Sequence, residues 1–447
     1  MSTWEEFSFD AAKAGARAVI SRLDSVLLHF VENCVGCALC DINCPYTPAG
    51  EEYGPVEKAE PLRKVIRGQV FLAARILPWL FSAKLPRSAE ELNRWVELAY
   101  RCTNCGLCYT TCPFGIHSGV MIQHLRYFLA KSGRVPALLK MMIDLETSGN
   151  ILSVESFGKI WSELLERLKG LGVTFDRKGA RYVYLPSLAE ALITPGAITG
   201  TAKILNKLGL DWTMPSVPLS VHAPIASLVG DSEAVLEITK RVAGYVTEIG
   251  ASTVILSDGG YPYRFFRFDA HALLKKPLGF DVIHVVELLH EAMKKGALKL
   301  READQRITWH SPCQLGRMGG LIDEPADILS SASKNFVKLK SHGFFSKCCG
   351  GGNGIACVVP PTVEMFEKLL GGSIPIPEKE KVFLDKLFRD MLVASKAKVD
   401  EIRESGASVV VTACVGCVQT LHLAGKVYEL GVEVKTLSEF VAELLPE

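Results

Sequence analysis

Two stretches of this sequence repeat one cysteine pattern: CVGCALCDINCP (Cys34–Pro45) and CTNCGLCYTTCP (Cys102–Pro113). In each stretch, two residues separate the first three cysteines from one another, three residues precede the fourth, and a proline follows it. A pattern this regular, written twice, is typical of a chain that wraps a bound group. The eight cysteines are Cys34, Cys37, Cys40, Cys44, Cys102, Cys105, Cys108 and Cys112.

This spacing is that of the thiolate ligands of cubane 4Fe-4S clusters. The C-x2-C-x2-C loop supplies three ligands to one cubane, and in two-cluster ferredoxins the fourth cysteine ligates the other cluster. Zinc and disulfides fit less well, because structural zinc sites use paired C-x2-C units and not four-cysteine runs ending in proline. We therefore predict one cluster held by Cys34, Cys37, Cys40 and Cys112, and another held by Cys102, Cys105, Cys108 and Cys44.

The composition limits the remaining possibilities. A chain of 447 residues is long enough for about three domains. Its net charge of +1 gives no reason to expect nucleic-acid binding. Cysteines that serve as metal ligands predict a reducing compartment, the cytosol, and the first ten residues show no secretory pattern.

The region around the two runs is predicted to be helical. The connection between the runs is 57 residues long, far longer than in a small ferredoxin. Residues 5–33 are predicted to form an amphipathic helix, and Ser88 with Glu91 forms a capping box for a helix at Glu90–Ala99. We expect a helical two-cluster ferredoxin domain at 1–140 and a helical linker at 141–179.

One apolar stretch in this region, Val70–Ala83, is too short to span a bilayer. Two interpretations are open for it. It is either a helix buried between the two cluster motifs or a docking face for a membrane subunit.

From about residue 180, short β-branched runs alternate with helices, which predicts a parallel α/β arrangement. GASTVI (Gly250–Ile255) and GASVVV (Gly406–Val411) indicate an internal repeat of about 180–300 and 301–447. The expected fold class is therefore α + α/β. The predicted strands are Arg181–Tyr184, Thr253–Ser257, Val282–Val285, Ile307–His310, Val409–Thr412 and Val434–Thr436.

The second repeat carries a third cysteine group, in the order C…CCG…CxxC. Five thiolates exceed what one cubane needs. A phosphate-binding loop is disfavoured, because neither Lys-Ser/Thr nor G-x-G-x-x-G follows the glycines. A catalytic C-x-x-C dithiol remains open beside the favoured metal centre. The five cysteines are Cys313, Cys348, Cys349, Cys414 and Cys417.

Two further residues near this group have alternative interpretations. His310 precedes Cys313 by three residues, and it is either a proton donor to a leaving thiolate or a hydrogen-bonded structural histidine. Cys357 is left over, either as a small buried residue or as an additional ligand.

HSPCQLGR (His310–Arg317), CCGGGNG (Cys348–Gly354) and TACVGC (Thr412–Cys417) resemble the CCG cysteine-rich domain of heterodisulfide reductases. The resemblance implies that the five cysteines hold a noncubane 4Fe-4S cluster at which a disulfide is cleaved. A two-cubane module ahead of two CCG units resembles the D subunit of membrane-bound heterodisulfide reductase and the K subunit of the sulfite-reductase-associated membrane complex. Iron–sulfur subunits of glycolate and lactate oxidases share this layout.

The first CCG unit, at 180–300, departs from the family because it contains no cysteine. An alignment of the repeats places Ser187 at the first cysteine, Ser220 and Val221 at the CC pair, and Asp258 and Tyr261 at the C-x-x-C. We expect this unit to keep the fold and bind no metal. This loss favours the K-like members of the family.

The resemblance implies a catalytic iron–sulfur subunit that reduces, or reversibly forms, a disulfide or trisulfide. Candidate substrates are a small sulfur-carrier protein with redox cysteines and the heterodisulfide of coenzyme M and coenzyme B. Electrons would come from a quinone through a membrane cytochrome b-type subunit, which would attach the chain peripherally to the cytoplasmic membrane. The alternative is an electron-transfer subunit of a glycolate/lactate-type 2-hydroxyacid oxidase. The sequence contains no flavin or nicotinamide fingerprint.

A second departure is the length between the CC pair and the C-x-x-C. Between Cys349 and Cys414 lie 64 residues, against 36 between Val221 and Asp258. The extra length, at about 356–390, is either a segment that shapes the substrate entrance or meets a partner, or an ordinary loop insertion before a helix at Val382–Arg403.

Overall fold

The computed structural model describes residues 4–81, 83–149, 151–219 and 223–446. The chain packs as two compact units, each assembled from several segments. The first unit combines the chain up to Ile143 with Ile225–Ser232 and Gly350–Lys396, and the second combines Asp144–Pro224 with Glu233–Cys349 and the chain from Ala397. The predicted domain boundaries stay a prediction. The packing adds that two segments from the α/β half belong with the helical unit.

Helices dominate both units. In chain order they are α1 (Phe9–Ile20), α2 (Ser25–Asn33), α3 (Pro55–Val70), α4 (Leu72–Ile76), α5 (Ala89–Ala99), α6 (Leu107–Thr111), α7 (Ser118–Lys131), α8 (Ala137–Ser148), α9 (Glu155–Gly170), α10 (Leu188–Ile193), α11 (Pro195–Lys207), α12 (Ala223–Val229), α13 (Ser232–Ile249), α14 (Tyr261–Arg264), α15 (Ala270–Leu274), α16 (Val285–Lys294), α17 (Glu324–Ala332), α18 (Ile355–Val358), α19 (Pro360–Leu370), α20 (Glu378–Ser405), α21 (Val415–Val427) and α22 (Leu437–Glu443).

In the first unit, α7 packs against α1, α3 and α5. The helix predicted over 5–33 is two helices, because the side chain of Asp24 accepts a hydrogen bond from the Leu27 amide at 2.7 Å and starts α2 there. Of the predicted capping box before α5, Ser88 accepts from the Glu91 amide at 3.2 Å. The Glu91 carboxylate instead accepts from the amide of Arg87 at 3.1 Å.

The apolar stretch between the cysteine runs is exposed. The side chains of Leu72, Ile76, Trp79 and Leu80 are 70%, 65%, 76% and 66% exposed, respectively. The interpretation of Val70–Ala83 as a buried helix is therefore wrong. Among the described residues, no helix combines the length and apolar character that crossing a bilayer requires.

The second unit contains two four-stranded, all-parallel sheets, in the strand orders β2-β1-β3-β4 and β6-β5-β7-β8. The two orders are the same, so the α + α/β fold class is confirmed and the repeat has one topology. The strands are β1 (Tyr182–Tyr184), β2 (Trp212–Thr213), β3 (Thr253–Leu256), β4 (Asp281–His284), β5 (Ile307–Trp309), β6 (Phe336–Val337), β7 (Val409–Thr412) and β8 (Glu433–Thr436).

The two repeats pack on each other through small residues. Helix α11 lies against α22, and the Thr201 hydroxyl donates to the Ser438 hydroxyl at 2.8 Å. At Gly200, a Cβ atom would lie 2.5 Å from the Ser438 carbonyl oxygen. Helix α22 starts with a capping box, in which the Thr436 side chain accepts from the Glu439 amide and the Glu439 carboxylate accepts from the Thr436 amide.

Strand register aligns the repeats residue by residue. Tyr184 pairs with Ile255 in the first sheet, as Trp309 pairs with Val411 in the second. Counting on from these pairs places Asp258 at the position of Cys414, as aligned from the sequence. Leu188 falls at the position of Cys313, one residue beyond the predicted Ser187. Ser220 and Val221 lie outside the described residues.

Candidate metal centres

The first cavity in the helical unit has an empty volume of about 360 Å³ and is lined by Cys34, Cys37, Cys40 and Cys112. Its loop follows α2 and turns through left-handed backbone at Gly36 (φ 72°) and Ala38 (φ 60°). The other lining side chains are mostly apolar. Cys37 is exposed, so this cavity opens toward the surface.

The second cavity has an empty volume of about 340 Å³ and is lined by Cys44, Cys102, Cys105 and Cys108. Cys44, Cys102 and Cys105 are buried. The fourth cysteine of each run thus lies with the first three of the other run. Each cavity offers four sulfur atoms, the donor set that a 4Fe-4S cluster takes.

The crowding of sulfur atoms disfavours free thiolates in these cavities. Burial, followed by the charge of neighbouring thiols, raises the pKa of Cys40 and of Cys108 to about 12. A coordinating metal deprotonates its thiols outright and removes this penalty. The local chemistry therefore fits a bound cationic metal group better than free thiols.

A buried lysine on α3 also faces the second cavity. The ammonium of Lys58 lies 3.2 Å from the Cys44 sulfur and 3.0 Å from the Arg101 carbonyl oxygen. The sequence contained a signal for it, since Lys58 shares a helix face with Leu62 and Val65, at i, i+4 and i+7. A lysine on an otherwise apolar helix face is expected to be buried, and a buried charge needs a polar or charged partner.

The third group, in the α/β unit, lies at the carboxyl ends of the central strands of the second sheet. His310 follows β5 directly, and Cys414 caps the start of α21 after β7. In parallel sheets these ends form the usual binding edge. The ligand atoms of His310, Cys349 and Cys417 lie within 4.8 Å of one another. We call His310, Cys348, Cys349, Cys414 and Cys417 the thiol cluster.

Hydrogen bonds between sulfur atoms connect the thiol cluster. The thiols of Cys348 and Cys417, followed by His310, hold the pKa of Cys349 well below its usual value. The pKa of Cys417 is raised, because its proton is shared with Cys349 and Cys414. Cys349 is therefore the thiol of this cluster that ionises most readily, and a buried thiolate needs a compensating charge or hydrogen bond.

Burial lowers the pKa of His310, so its imidazole is neutral near pH 7. Its side chain is 1% exposed. No well-formed hydrogen bond reaches either ring nitrogen from the described residues, and its strongest electrostatic neighbour is the Cys349 thiol. Buried polar groups are almost always hydrogen-bonded in folded proteins. The imidazole of His310 is therefore available to bond to a group that binds at this site.

The fifth cysteine, Cys313, follows β5 and is half-buried. Its sulfur accepts a hydrogen bond from the side-chain amide of Gln314 at 3.7 Å. In the part of the chain that the structure describes, Cys313 does not share in the hydrogen bonds that connect the other four thiols. Cys357 lies on α18 in the helical unit and is half-buried.

Two basic residues near the CC pair are tied into the structure. Arg317 donates to the carbonyl oxygens of Phe344 and Ser346 at 2.7 and 2.6 Å, which fixes the loop that leads to Cys348. Lys398, which the sequence reasoning missed, is fully buried and forms an ion pair with Glu401 at 2.8 Å. Charge from Cys348 also acts on Lys398, whereas burial lowers the pKa of this lysine.

The corresponding edge of the first sheet contains carboxyl and hydroxyl groups. Burial, followed by the charge of Asp258, raises the pKa of Glu190 to about 7. Ser257 donates to Glu190 and lies 2.7 Å from the Tyr184 hydroxyl. Asp258 accepts from the Val415 amide at 3.3 Å, and the Gly259 amide donates to the Ala413 carbonyl oxygen at 2.5 Å. The two sheet edges therefore face each other beside Cys414.

Comparison with protein families identifies two domains in the chain. A 4Fe-4S dicluster domain matches residues 30–116, and a cysteine-rich domain of the CCG type matches residues 307–369 and 385–422. These ranges contain all thirteen cysteines of the three predicted groups.

Several named proteins are similar to most of this chain. The D subunit of dihydromethanophenazine:CoB–CoM heterodisulfide reductase from Methanosarcina acetivorans is 25% identical over 95% of this chain and 96% of its own length. The Hdr-like menaquinol oxidoreductase iron-sulfur subunit 2 of Archaeoglobus fulgidus is 24% identical over 73% of this chain and 68% of its own. A probable membrane-anchored ferredoxin of Chromohalobacter salexigens is 24% identical over 94% of this chain and 60% of its own. The chain therefore carries a 4Fe-4S dicluster domain and a CCG cysteine-rich domain, and it is similar over most of its length to the D subunit of heterodisulfide reductase and to an Hdr-like iron–sulfur subunit.

Proposed function

We propose that this chain is the iron–sulfur subunit of an oxidoreductase that reduces, or reversibly forms, a disulfide or trisulfide at Cys313, Cys348, Cys349, Cys414 and Cys417. The observation that carries the proposal is the thiol cluster. It joins four buried or half-buried sulfurs and one neutral imidazole at the carboxyl edge of a parallel sheet. All five cysteines lie in the ranges that match the CCG domain, and a protein similar to this chain is named as the D subunit of a heterodisulfide reductase.

The five cysteines would hold a noncubane 4Fe-4S cluster, which supplies electrons to a substrate sulfur one at a time. The protein's own groups would manage charge and protons around it. Cys349, whose pKa is lowered, would ligate the metal at the smallest cost in deprotonation. His310, neutral and next to this sulfur, would donate an N–H hydrogen bond to the sulfur that leaves, and it could pass on a proton only after taking one up from solvent.

Two cubane clusters would supply the electrons, one in each cavity of the helical unit. Cys34, Cys37, Cys40 and Cys112 would ligate one cluster, and Cys44, Cys102, Cys105 and Cys108 the other. The four sulfurs that line each cavity support this assignment.

The electron source would be a membrane quinone or phenazine pool, reached through a cytochrome b-type subunit that holds the chain at the cytoplasmic membrane. The exposed stretch Leu72–Phe81 supports this partner. An exposed tryptophan among aliphatic side chains is typical of a surface that a partner covers. Relatives named for dihydromethanophenazine and menaquinol point to such a pool.

A double substitution of Trp79 and Leu80 by glutamine tests this partner. In cells that contain the whole complex, we expect the variant to leave the membrane fraction, with iron content unchanged. Val427→Gln is the matched control, since Val427 is 53% exposed in the other unit. Equal membrane association of both variants would contradict the assignment of this stretch.

The substrate would be the disulfide or trisulfide of a small sulfur-carrier protein, with the coenzyme M–coenzyme B heterodisulfide as the second candidate. The missing cysteines of the first CCG unit favour the carrier, as in K-like subunits. The carrier brings its own redox cysteines, so a single metal site on this chain suffices.

Electron paramagnetic resonance of anaerobically oxidised protein, with and without a thiol substrate, tests the function. We expect a new paramagnetic signal when the thiol is added, and its loss in Cys349→Ser. Indifference to thiols, with roughly 12 irons still bound, would instead support an electron-transfer subunit of a 2-hydroxyacid oxidase.

A further inference from the structure

The two cavities of the helical unit differ in the charge placed beside them. Lys58 lies in the first turns of α3 with 2% of its surface exposed, and its ammonium contacts the Cys44 sulfur at 3.2 Å. None of the described residues that line the first cavity is a lysine or an arginine. The second cavity therefore has a buried cation that the first lacks.

The charge of Lys58 is not cancelled by an acid. Within the described residues, Lys58 forms no ion pair with a carboxylate. Asp41 interacts with its charge electrostatically without an ion-pair contact. Its other hydrogen bond goes to a neutral acceptor, the Arg101 carbonyl oxygen at 3.0 Å. The ammonium therefore faces a cysteine sulfur on one side and a neutral carbonyl oxygen on the other, and a lysine beside anionic sulfur keeps its positive charge at neutral pH.

Neighbouring guanidinium groups contrast with Lys58. Arg101 forms an ion pair with Asp390 at 2.6 Å, so its charge is compensated. Beside the first cavity, Arg63 donates to the Cys34 carbonyl oxygen at 2.7 Å, and Glu60 pairs with it at 3.2 Å. The Lys58 ammonium contacts a cysteine sulfur directly, whereas the buried guanidinium of Arg126 donates to the Cys102 carbonyl oxygen at 3.2 Å.

A cubane bound by four thiolates is an anion that gains one more negative charge on reduction. A fixed positive charge in a low-dielectric setting stabilises the reduced form more than the oxidised form. A hydrogen bond to a ligating sulfur acts in the same direction. Both effects come from one side chain here.

We infer that Lys58 sets which of the two cubane clusters is reduced first. It raises the reduction potential of the cluster in the second cavity above that of the cluster in the first cavity. The second cavity is the one lined by Cys44, Cys102, Cys105 and Cys108, and the first is lined by Cys34, Cys37, Cys40 and Cys112. Electrons needed for disulfide chemistry would then collect at the buried site and leave the exposed site oxidised. This inference rests on the cubane ligands of the proposed function and not on its substrate.

The experiment is a redox titration of the intact protein, followed by electron paramagnetic resonance, in wild type and in Lys58→Met. Methionine keeps most of the volume of the side chain and removes its charge. We expect the reduction potential of one cubane to fall in Lys58→Met. At a fixed applied potential, the ratio of reduced to oxidised cluster should drop at least tenfold, which corresponds to about 59 mV for a one-electron couple. The other cubane potential stays in place.

Lys64→Gln is the matched control, because Lys64 lies on the same helix and acts on Glu91 instead. It should move neither potential. Lys58→Gln removes the charge but keeps a hydrogen-bond donor that can reach the Arg101 carbonyl oxygen. It therefore distinguishes the effect of the charge from the effect of losing this hydrogen bond.

Three results would overturn the inference: unchanged potentials in Lys58→Met, equal shifts of both cubanes, or loss of about four irons in both Lys58 variants. The last would make Lys58 a structural residue. The thiol-induced signal, recorded on the same samples, reports separately on the disulfide site, so failure of either proposal is recognised on its own.

Discussion

The two α/β repeats share a strand order and a register but differ in what they place at the same edge. The second repeat brings together Cys349, Cys414 and Cys417, whereas the first brings together Glu190, Ser257 and Asp258. Asp258 occupies the position of Cys414. A sheet edge that can gather ligands is therefore a property of the fold, and the side chains decide what is gathered there.

The first repeat also forms one wall of the site. Its Asp258 and Gly259 bond to the backbone around Cys414, at Val415 and Ala413. The loss of cysteines has thus left a repeat that supports its neighbour. Four substitutions test how far the two edges differ.

The largest effect is expected for Cys417→Ser. Loss of this sulfur should remove roughly four of roughly 12 irons, together with all disulfide reduction, as measured by iron content and activity. The control is Tyr261→Phe at the equivalent position of the first repeat, for which we expect neither change. Loss of iron in the tyrosine variant would show that the first edge also takes part in metal binding.

Glu190→Gln should change how stability depends on pH. In the folded protein the pKa of Glu190 is raised to about 7 from 4.5, so the native state holds a proton that the unfolded state releases. Stability from this group is present below pH 4.5 and is lost as pH rises through 7, by about 3 kcal/mol.

The measurement is anaerobic thermal unfolding between pH 5.5 and 8. We expect the unfolding midpoint of wild type to fall with pH more steeply than that of Glu190→Gln. Parallel curves would mean that Glu190 is ionised throughout, and that the first edge is a charged edge.

Gly200→Ala tests the packing between the repeats. The added methyl would lie 2.5 Å from the Ser438 carbonyl oxygen, so we expect a loss of about 2 kcal/mol in the free energy of unfolding. Gly244→Ala in α13 is the control, since nothing lies within 4 Å of its Cβ and alanine favours a helix by about 0.5–1 kcal/mol. Stabilisation of both variants would show that the helix effect of alanine outweighs the contact with Ser438, and would contradict the prediction.

The smallest effect is expected for Asp258→Asn. The substitution removes a negative charge from the start of α21, at a cost of about 0.3–1 kcal/mol. It also removes a cause of the high pKa of Glu190. The pH at which unfolding stability declines should therefore move down. If stability declines over the same pH range in Asp258→Asn as in wild type, burial alone raises the pKa of Glu190.

The sequence predicted the central strands of both sheets within one residue, because each is a short run of β-branched, aromatic and other apolar residues. It missed β2 and β6, which have two residues each and no periodicity to detect. Asp24 was not recognised as a helix start, so two helices were predicted as one. The exposure of Leu72–Phe81 could not be predicted from hydrophobicity, since apolar residues occur both in cores and at interfaces.

For the site, the spacing of the two cysteine runs predicted which four cysteines line each cavity, because this ligand type and spacing fits few metal groups. The five-cysteine set rests on the family resemblance, and Cys313 lies outside the hydrogen bonds that connect the other four. Lys58, Lys398 and Glu190 were missed for one reason. Their roles depend on which side chains face them across long sequence separations, and a single sequence does not give that pairing.

The exposed stretch Leu72–Phe81 has a practical consequence for anyone who produces this chain by itself. Without a binding surface for Trp79 and its neighbours, we expect oligomers that grow with protein concentration and dissolve in mild detergent. Co-expression with the membrane partner should yield a single species. Preparations made without it should be checked by light scattering before any spectrum is assigned to the native state.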